Sequence, residues 1–226
     1  MEVPRLFFCF KKQSIMNALK VSSVPPIEDA NGIIPAFELN TVVWHEIDQV
    51  CWPEEYPYKP SAEFAIAHDD EAIYMAYRVK ERCIRALALD GGEVWKDSCC
   101  ELFIAPDDKG YYNIECNCAG HPLVAFGPDR NNRTTASLET IALIGRCSSL
   151  GSEPIALCNG DFSWQMALRI PKEVFFMHPG LKLCGDMRAN VYKCGDETIP
   201  HFLAWNKVGT PTPDFHQPSY FGLFNL

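Results

Sequence analysis

A tryptophan in a polar, glycine-led loop is followed six residues later by a glutamate inside an apolar run: Gly92-Glu93-Val94-Trp95-Lys96-Asp97-Ser98-Cys99-Cys100-Glu101-Leu102-Phe103-Ile104. Loops run over the surface, so a large aromatic there is packed down as a lid or left open to a flat ligand. A carboxylate in a half-buried strand must face water, a cation or a hydroxyl-bearing partner. Together the two offer an apolar platform for a C–H face and an acceptor for hydroxyl groups.

Side-chain alternation along a strand orders the groups around this pair. In Cys99–Ile104, Cys100, Leu102 and Ile104 share a core face and leave Glu101 opposite. In the next run, Tyr112, Ile114, Cys116 and Cys118 form the apolar face, with Asn113, Glu115 and Asn117 on the other. A turn signal at Pro106-Asp107-Asp108-Lys109-Gly110 joins the two as a hairpin, so both polar faces lie on one side of the sheet. Glu101, Asn113, Glu115 and Asn117 are expected to make one polar patch with Trp95 at its rim. Adjacent carboxylates need a counter-cation or a proton, and Arg188, on the polar face of the run 186–194, is expected nearby.

These blocks resemble the family 9 carbohydrate-binding modules and their DOMON-like relatives. The resemblance runs through 94–106, Tyr111–Asn117 and Gly120. It continues in Arg188-Ala189-Asn190-Val191-Tyr192-Lys193-Cys194, His201-Phe202-Leu203-Ala204-Trp205, and the closing Asp214-Phe215-His216 with Phe221-Gly222. It implies a non-catalytic module that grips a sugar between two tryptophans, with a carboxylate accepting hydroxyl hydrogen bonds. By motif position Trp95 and Glu101 are the first pair and Trp205 the second platform; Arg130, Arg133 and Arg188 compete for the binding arginine. The implied partner is a mono-, oligo- or polysaccharide. The resemblance also raises a haem or redox carrier on the same fold, with Met75, Met166 or Met187 as axial ligands, and an accessory domain of a glycoside-active enzyme.

The elements that must hold these groups are short strands. Seventeen prolines and 14 glycines in 226 residues punctuate the chain at sandwich-like intervals. Residues 62–67 and 72–79 read as strands around a polar turn, and 162–170 alternates so that Phe162, Trp164, Met166, Leu168 and Ile170 share one face. Residues 127–137 read as a polar loop. Trp44, Trp52 and Trp164 are expected in the core, and His216 is expected to tie down the last strand. The fold expected is a single all-β domain, an antiparallel β-sandwich of jelly-roll or immunoglobulin-like type over residues 21–226. Residues 1–20 are expected to be a loose extension.

A net charge of −9 argues against a nucleic-acid backbone or an anionic membrane as partner. Leu6–Phe10 is too short for a secretory signal, and Lys11-Lys12 follow it rather than precede it. Eleven cysteines, an odd number and mostly within apolar runs, read as reduced core thiols. A cytoplasmic protein is expected, although the family analogy points to an extracytoplasmic one. No nucleophile elbow, P-loop, dinucleotide fingerprint or HExxH motif is present, and no enzyme activity is expected. No cofactor is expected beyond a structural calcium ion at Asp69-Asp70 or Asp107-Asp108.

Overall fold

The computed structural model describes residues 16–226; the apolar run at 6–10 lies outside them. Two sheets stack face to face. In the larger, Cys99–Ala105 and Tyr111–Asn117 form the expected hairpin, and Pro122–Gly127 pairs beyond it. On the other side of Cys99–Ala105 lies Asp186–Cys194, then Gly222–Asn225 and Ala18–Lys20; Thr134–Thr135 closes the opposite edge. The far half of Asp186–Cys194 also pairs with Phe202–Ala204, which in turn pairs with Gln49–Val50.

The smaller sheet is built around two long antiparallel partners, Ala72–Ala86 and Ile155–Pro171, flanked by Ser61–His68 and Gly145–Ser148. The turn between Ser61–His68 and Ala72–Ala86 is fixed by Asp69, whose carboxylate accepts from the Glu71 and Ala72 amides and the Tyr74 hydroxyl. Ala18–Lys20 pairs in parallel with Gly222–Asn225, so the sandwich begins before the expected boundary at residue 21.

Alternation decides what fills the space between the layers. Phe64, Met75, Tyr77, Leu102, Ile114, Trp164, Met166 and Val191 are all at most 1% exposed and meet in one interlayer core. Met75, Met166 and Met187, weighed as axial ligands, are packing residues of that core. The back of the smaller sheet carries Ala65, Ala67, Ala76 and Ala167, whose short side chains leave room for the helix Ile33–Leu39 to seat Ile33 and Phe37. That helix tolerates Pro35 because the first turn needs no amide from it.

Of the three tryptophans expected in the core, only Trp164 is there. Trp44 lies on the back of the smaller sheet with the Arg78 guanidinium 3.8 Å from its ring centroid. Trp52 lies on the outer face of the larger sheet, against Phe202 and Phe215.

One ion pair is buried between the layers. Lys193 falls on the core face of Asp186–Cys194, and its ammonium is 3.0 Å from Glu81 of the opposite sheet. It also donates to Cys194 O at 2.8 Å and to His201 Nε2 at 3.0 Å. His201 Nδ1 lies 2.7 Å from Ile199 O and so carries the ring proton, leaving Nε2 to accept from Lys193. Burial and the Lys193 charge hold the His201 pKa well below its ordinary value, consistent with that neutral ring. The other Glu81 oxygen accepts from Trp164 Nε1 at 2.7 Å.

Candidate functional site

The outer face of the larger sheet is hollowed into a cavity of about 310 Å³. Its floor is laid by three neighbouring strands, Cys99–Ala105, Tyr111–Asn117 and Pro122–Gly127, whose outward residues include Glu101, Asn113, Glu115, Leu123 and Ala125. Register sets them in rows: Glu101 opposes Glu115, which opposes Leu123, while Asn113 opposes Ala125. The walls are loops carrying Trp95, Arg130, Arg133, Asp196 and the segment 213–216.

Trp95 sits in a single 3-10 turn, Val94–Lys96, and the residue that fixes that turn is Asp97. Its buried carboxylate accepts from the Leu87 and Ala88 amides, from Arg85 at 2.5 Å and from Asn117 Nδ2 at 2.9 Å. The end of the smaller sheet, the Trp95 turn and the cavity floor are thereby tied at one point. Trp95 remains half-buried at the rim, and its carbonyl accepts from the Asp196 amide. On the aromatic side, Tyr192 stacks on Phe215 with centroids 4.1 Å apart. Trp52 donates to Thr210 O at 2.6 Å from a backbone φ of +55°, a left-handed conformation unusual for an aromatic residue.

The floor is acidic and its side chains are buried. Glu101 Oε1 accepts the Cys194 thiol at 3.0 Å, and Glu115 Oε1 accepts from Asn113 Nδ2 at 2.7 Å. Glu115 Oε2 is buried with no hydrogen-bond partner among the described residues. Burial raises the Glu115 pKa to about 7, and burial together with the opposed Glu115 charge raises that of Glu101 well above the carboxylate range. The surrounding walls raise Asp196 to about 6 by the same loss of hydration. His216, bonded through Nδ1 to the Tyr111 hydroxyl at 2.9 Å, is lowered to about 4 by burial and Arg133, and is neutral at pH 7.

Four of the six residues picked from sequence, Trp95, Glu101, Asn113 and Glu115, line this one cavity. Trp205 does not. Strand alternation turns Leu203 and Trp205 into the interlayer core, where the indole packs on Phe224 and Phe64. A Cβ on Gly222 would come within 2.6 Å of its ring, so glycine is required at that contact. The aromatic that faces the cavity from that segment is Phe202.

Arg188 is exposed, four residues along its strand from the Glu101 pairing position (roughly 13 Å), and among the described residues it bonds Pro218 O alone. The arginine at the floor is Arg133, which bonds the Asn113 side chain and the carbonyls of Tyr111 and Ala125, with its guanidinium 4.5 Å from the Tyr111 ring centroid. Asn117, expected in the polar patch, is consumed by its bonds to Asp97 and Ala88. His216, expected to be structural, is a wall residue. The outward alternation of Leu123 and Ala125 was available as a signal for the third floor strand. Asp214 and Phe215 entered only through the family resemblance and nothing local marked Asp196; loops bring all three in from far along the chain.

Among the described residues, two thiols and a carboxylate, those of Cys99, Glu101 and Cys194, offer ligand atoms within 4.8 Å of one another and could hold a metal ion. At the expected calcium positions, both Asp69 oxygens are taken up by the turn, and Asp107 accepts from the Lys109 amide while facing His178.

An aromatic-rimmed, carboxylate-floored pocket on the outer face of a β-sandwich suits a sugar, and the family match makes the chain a non-catalytic carbohydrate-binding module. The chain belongs to carbohydrate-binding family 9, whose model matches residues 33–226. It is similar to a candidate carbohydrate-binding protein from Bacteroides uniformis, with 39% identity over 93% of this chain and 99% of that one and a TM-score of 0.89. The fold is also that of a family 9 module from Caldicellulosiruptor kristjanssonii, solved with cellotriose (16% identity, 92% and 93% coverage, TM-score 0.58) and with glucose (15%, 92% and 95%, TM-score 0.58). No curated protein matches the chain at this level.

Proposed function

We propose that the cavity on the larger sheet is the sugar site, with Trp95 as platform and Glu101, Glu115 and Asn113 as the hydroxyl-binding floor. The observation that carries this reading is the convergence of Trp95 and the three floor residues, from separate segments, on one pocket. Pyranose rings need apolar cover on their C–H faces and directional partners around their edges, and this pocket supplies both. Phe202 and Phe215 take the place proposed for a second tryptophan. At about 310 Å³ the pocket is at the small end for small-molecule sites and suits one or two sugar rings better than an internal stretch of polymer. Arg133 orients Asn113 and is the binding arginine of this reading.

Titration calorimetry with soluble mono- and disaccharides tests it. Trp95→Ala is expected to weaken binding of the best sugar by about 1–3 kcal/mol, with the melting temperature nearly unchanged. A strongly lowered melting temperature at unchanged affinity would make Trp95 a structural lid instead.

The ten described cysteines are unpaired, which supports a reducing compartment. Under denaturing conditions all 11 are expected to titrate as thiols, and reductant is expected to leave stability unchanged. Three or more native disulfides in protein prepared without reductant would overturn this placement. Among the described residues no helix is long and apolar enough to cross a membrane.

A further inference from the structure

Carboxyl groups outnumber cationic groups in the cavity. Four carboxyl groups line it, those of Glu101, Glu115, Asp196 and Asp214, against the guanidinium groups of Arg130 and Arg133. Arg130 lies 3.9 Å from Asp214. Arg133 makes all its hydrogen bonds to uncharged oxygens, the carbonyls of Asp129, Tyr111 and Ala125 and the Asn113 amide. Among the described residues, Glu101, Glu115 and Asp196 therefore have no salt-bridge partner.

Two of these three are in the floor, at directly opposed positions of paired strands and each 3% exposed. One oxygen, Glu115 Oε2, has no hydrogen-bond partner. Buried carboxylates are normally paired or hydrogen-bonded, and an orphaned oxygen in a pocket wall marks the place of a missing donor. A neutral hydroxyl satisfies a lone pair but gives the two buried carboxyls no counter-charge that would let them ionise. An ammonium group supplies three donors and the missing positive charge together.

We propose that the preferred ligand is an amino sugar, its primary ammonium seated between Glu101 and Glu115 and its ring covered by Trp95. This rests on the cavity being the sugar site. The aromatic walls favour an organic cation over calcium, which needs six to eight oxygens and has no use for the Cys194 thiol that binds Glu101. An N-acetylated sugar, with its charge erased and its nitrogen enlarged, is disfavoured by the same geometry.

The test is calorimetry at pH 6.5 with glucosamine, glucose and N-acetylglucosamine, on wild type and Glu115→Gln. Glucosamine is expected to bind at least tenfold more tightly than either neutral sugar, and Glu115→Gln to shrink that ratio several-fold. Thermal melts of the variant confirm that it is folded. Glucose binding as tightly as glucosamine would overturn the amino-sugar inference while leaving the sugar site intact. Failure of every mono- and disaccharide to bind would overturn both. Calcium binding on its own that Glu115→Gln abolishes would assign the carboxylates to a metal and also overturn the proposal.

Discussion

Lys193→Ala is expected to destabilise the fold by about 3–5 kcal/mol, among the largest effects of any single substitution in this chain. The ammonium is fully buried between the sheets, and removing it leaves Glu81 as an uncompensated charge beside Trp164. It also takes away the donor to His201 Nε2. The double variant Glu81→Gln with Lys193→Met removes both charges, keeps an acceptor for the Trp164 indole, and is expected to recover more than half of the loss. Urea melts of Glu81→Gln, Lys193→Met and the double variant close the cycle that measures the coupling. If the losses simply add, the pair is not the unit that holds this end of the sandwich, and the cost of Lys193→Ala would belong to its contact with His201.

The second large effect is a gain in stability. Glu115 has an ordinary carboxyl pKa near 4.5 when unfolded and about 7 when folded. The folded state therefore holds the proton more tightly, and the associated stability is present below pH 4.5 and lost as pH rises through 7. A shift of that size corresponds to about 3 kcal/mol once both states are ionised. Glu115→Gln removes the titration. Relative to wild type, the ligand-free variant is expected to gain about 2–3 kcal/mol between pH 5 and pH 8, read from urea melts at the two pH values. A difference that does not change with pH would show that the folded protein ionises Glu115 freely, with water reaching the floor. Such a gain at the expense of binding is the usual relation between a pocket and the scaffold that carries it.

The floor of the site was legible because strands write their faces into sequence with a period of two. Cys100, Leu102 and Ile104 could only point inward, so Glu101 had to point outward, and the hairpin turn then fixed Asn113 and Glu115 beside it. The same rule, carried two strands further, would have separated Phe202 from Trp205; motif position overrode it, and alternation was right. Apart from Trp95, the walls were not legible. Asp196, Asp214 and His216 are placed by loop paths, which have no periodicity to read. Arg133 could be named only as one of three arginines because the length of its loop does not specify where it folds back. Trp52 was misplaced because an isolated tryptophan carries no directional signal, and its left-handed backbone is visible only in three dimensions. The helix Ile33–Leu39 escaped notice for a related reason: its seat is a run of alanines on distant strands.

The cavity keeps its floor and its walls on different kinds of structure. Glu101, Asn113 and Glu115 are held in register by three paired strands, with the interlayer core directly beneath them. Trp95, Arg130, Asp196 and the 213–216 segment hang from loops that contribute little to that core. Substitutions, insertions or deletions in these loops can therefore reshape the mouth of the pocket at little cost to folding, whereas an insertion or deletion in the floor strands shifts the register of the sheet itself. Descendants of such a chain would be expected to drift in linkage preference and ligand length, and to hold on to the polar grip on a single ring.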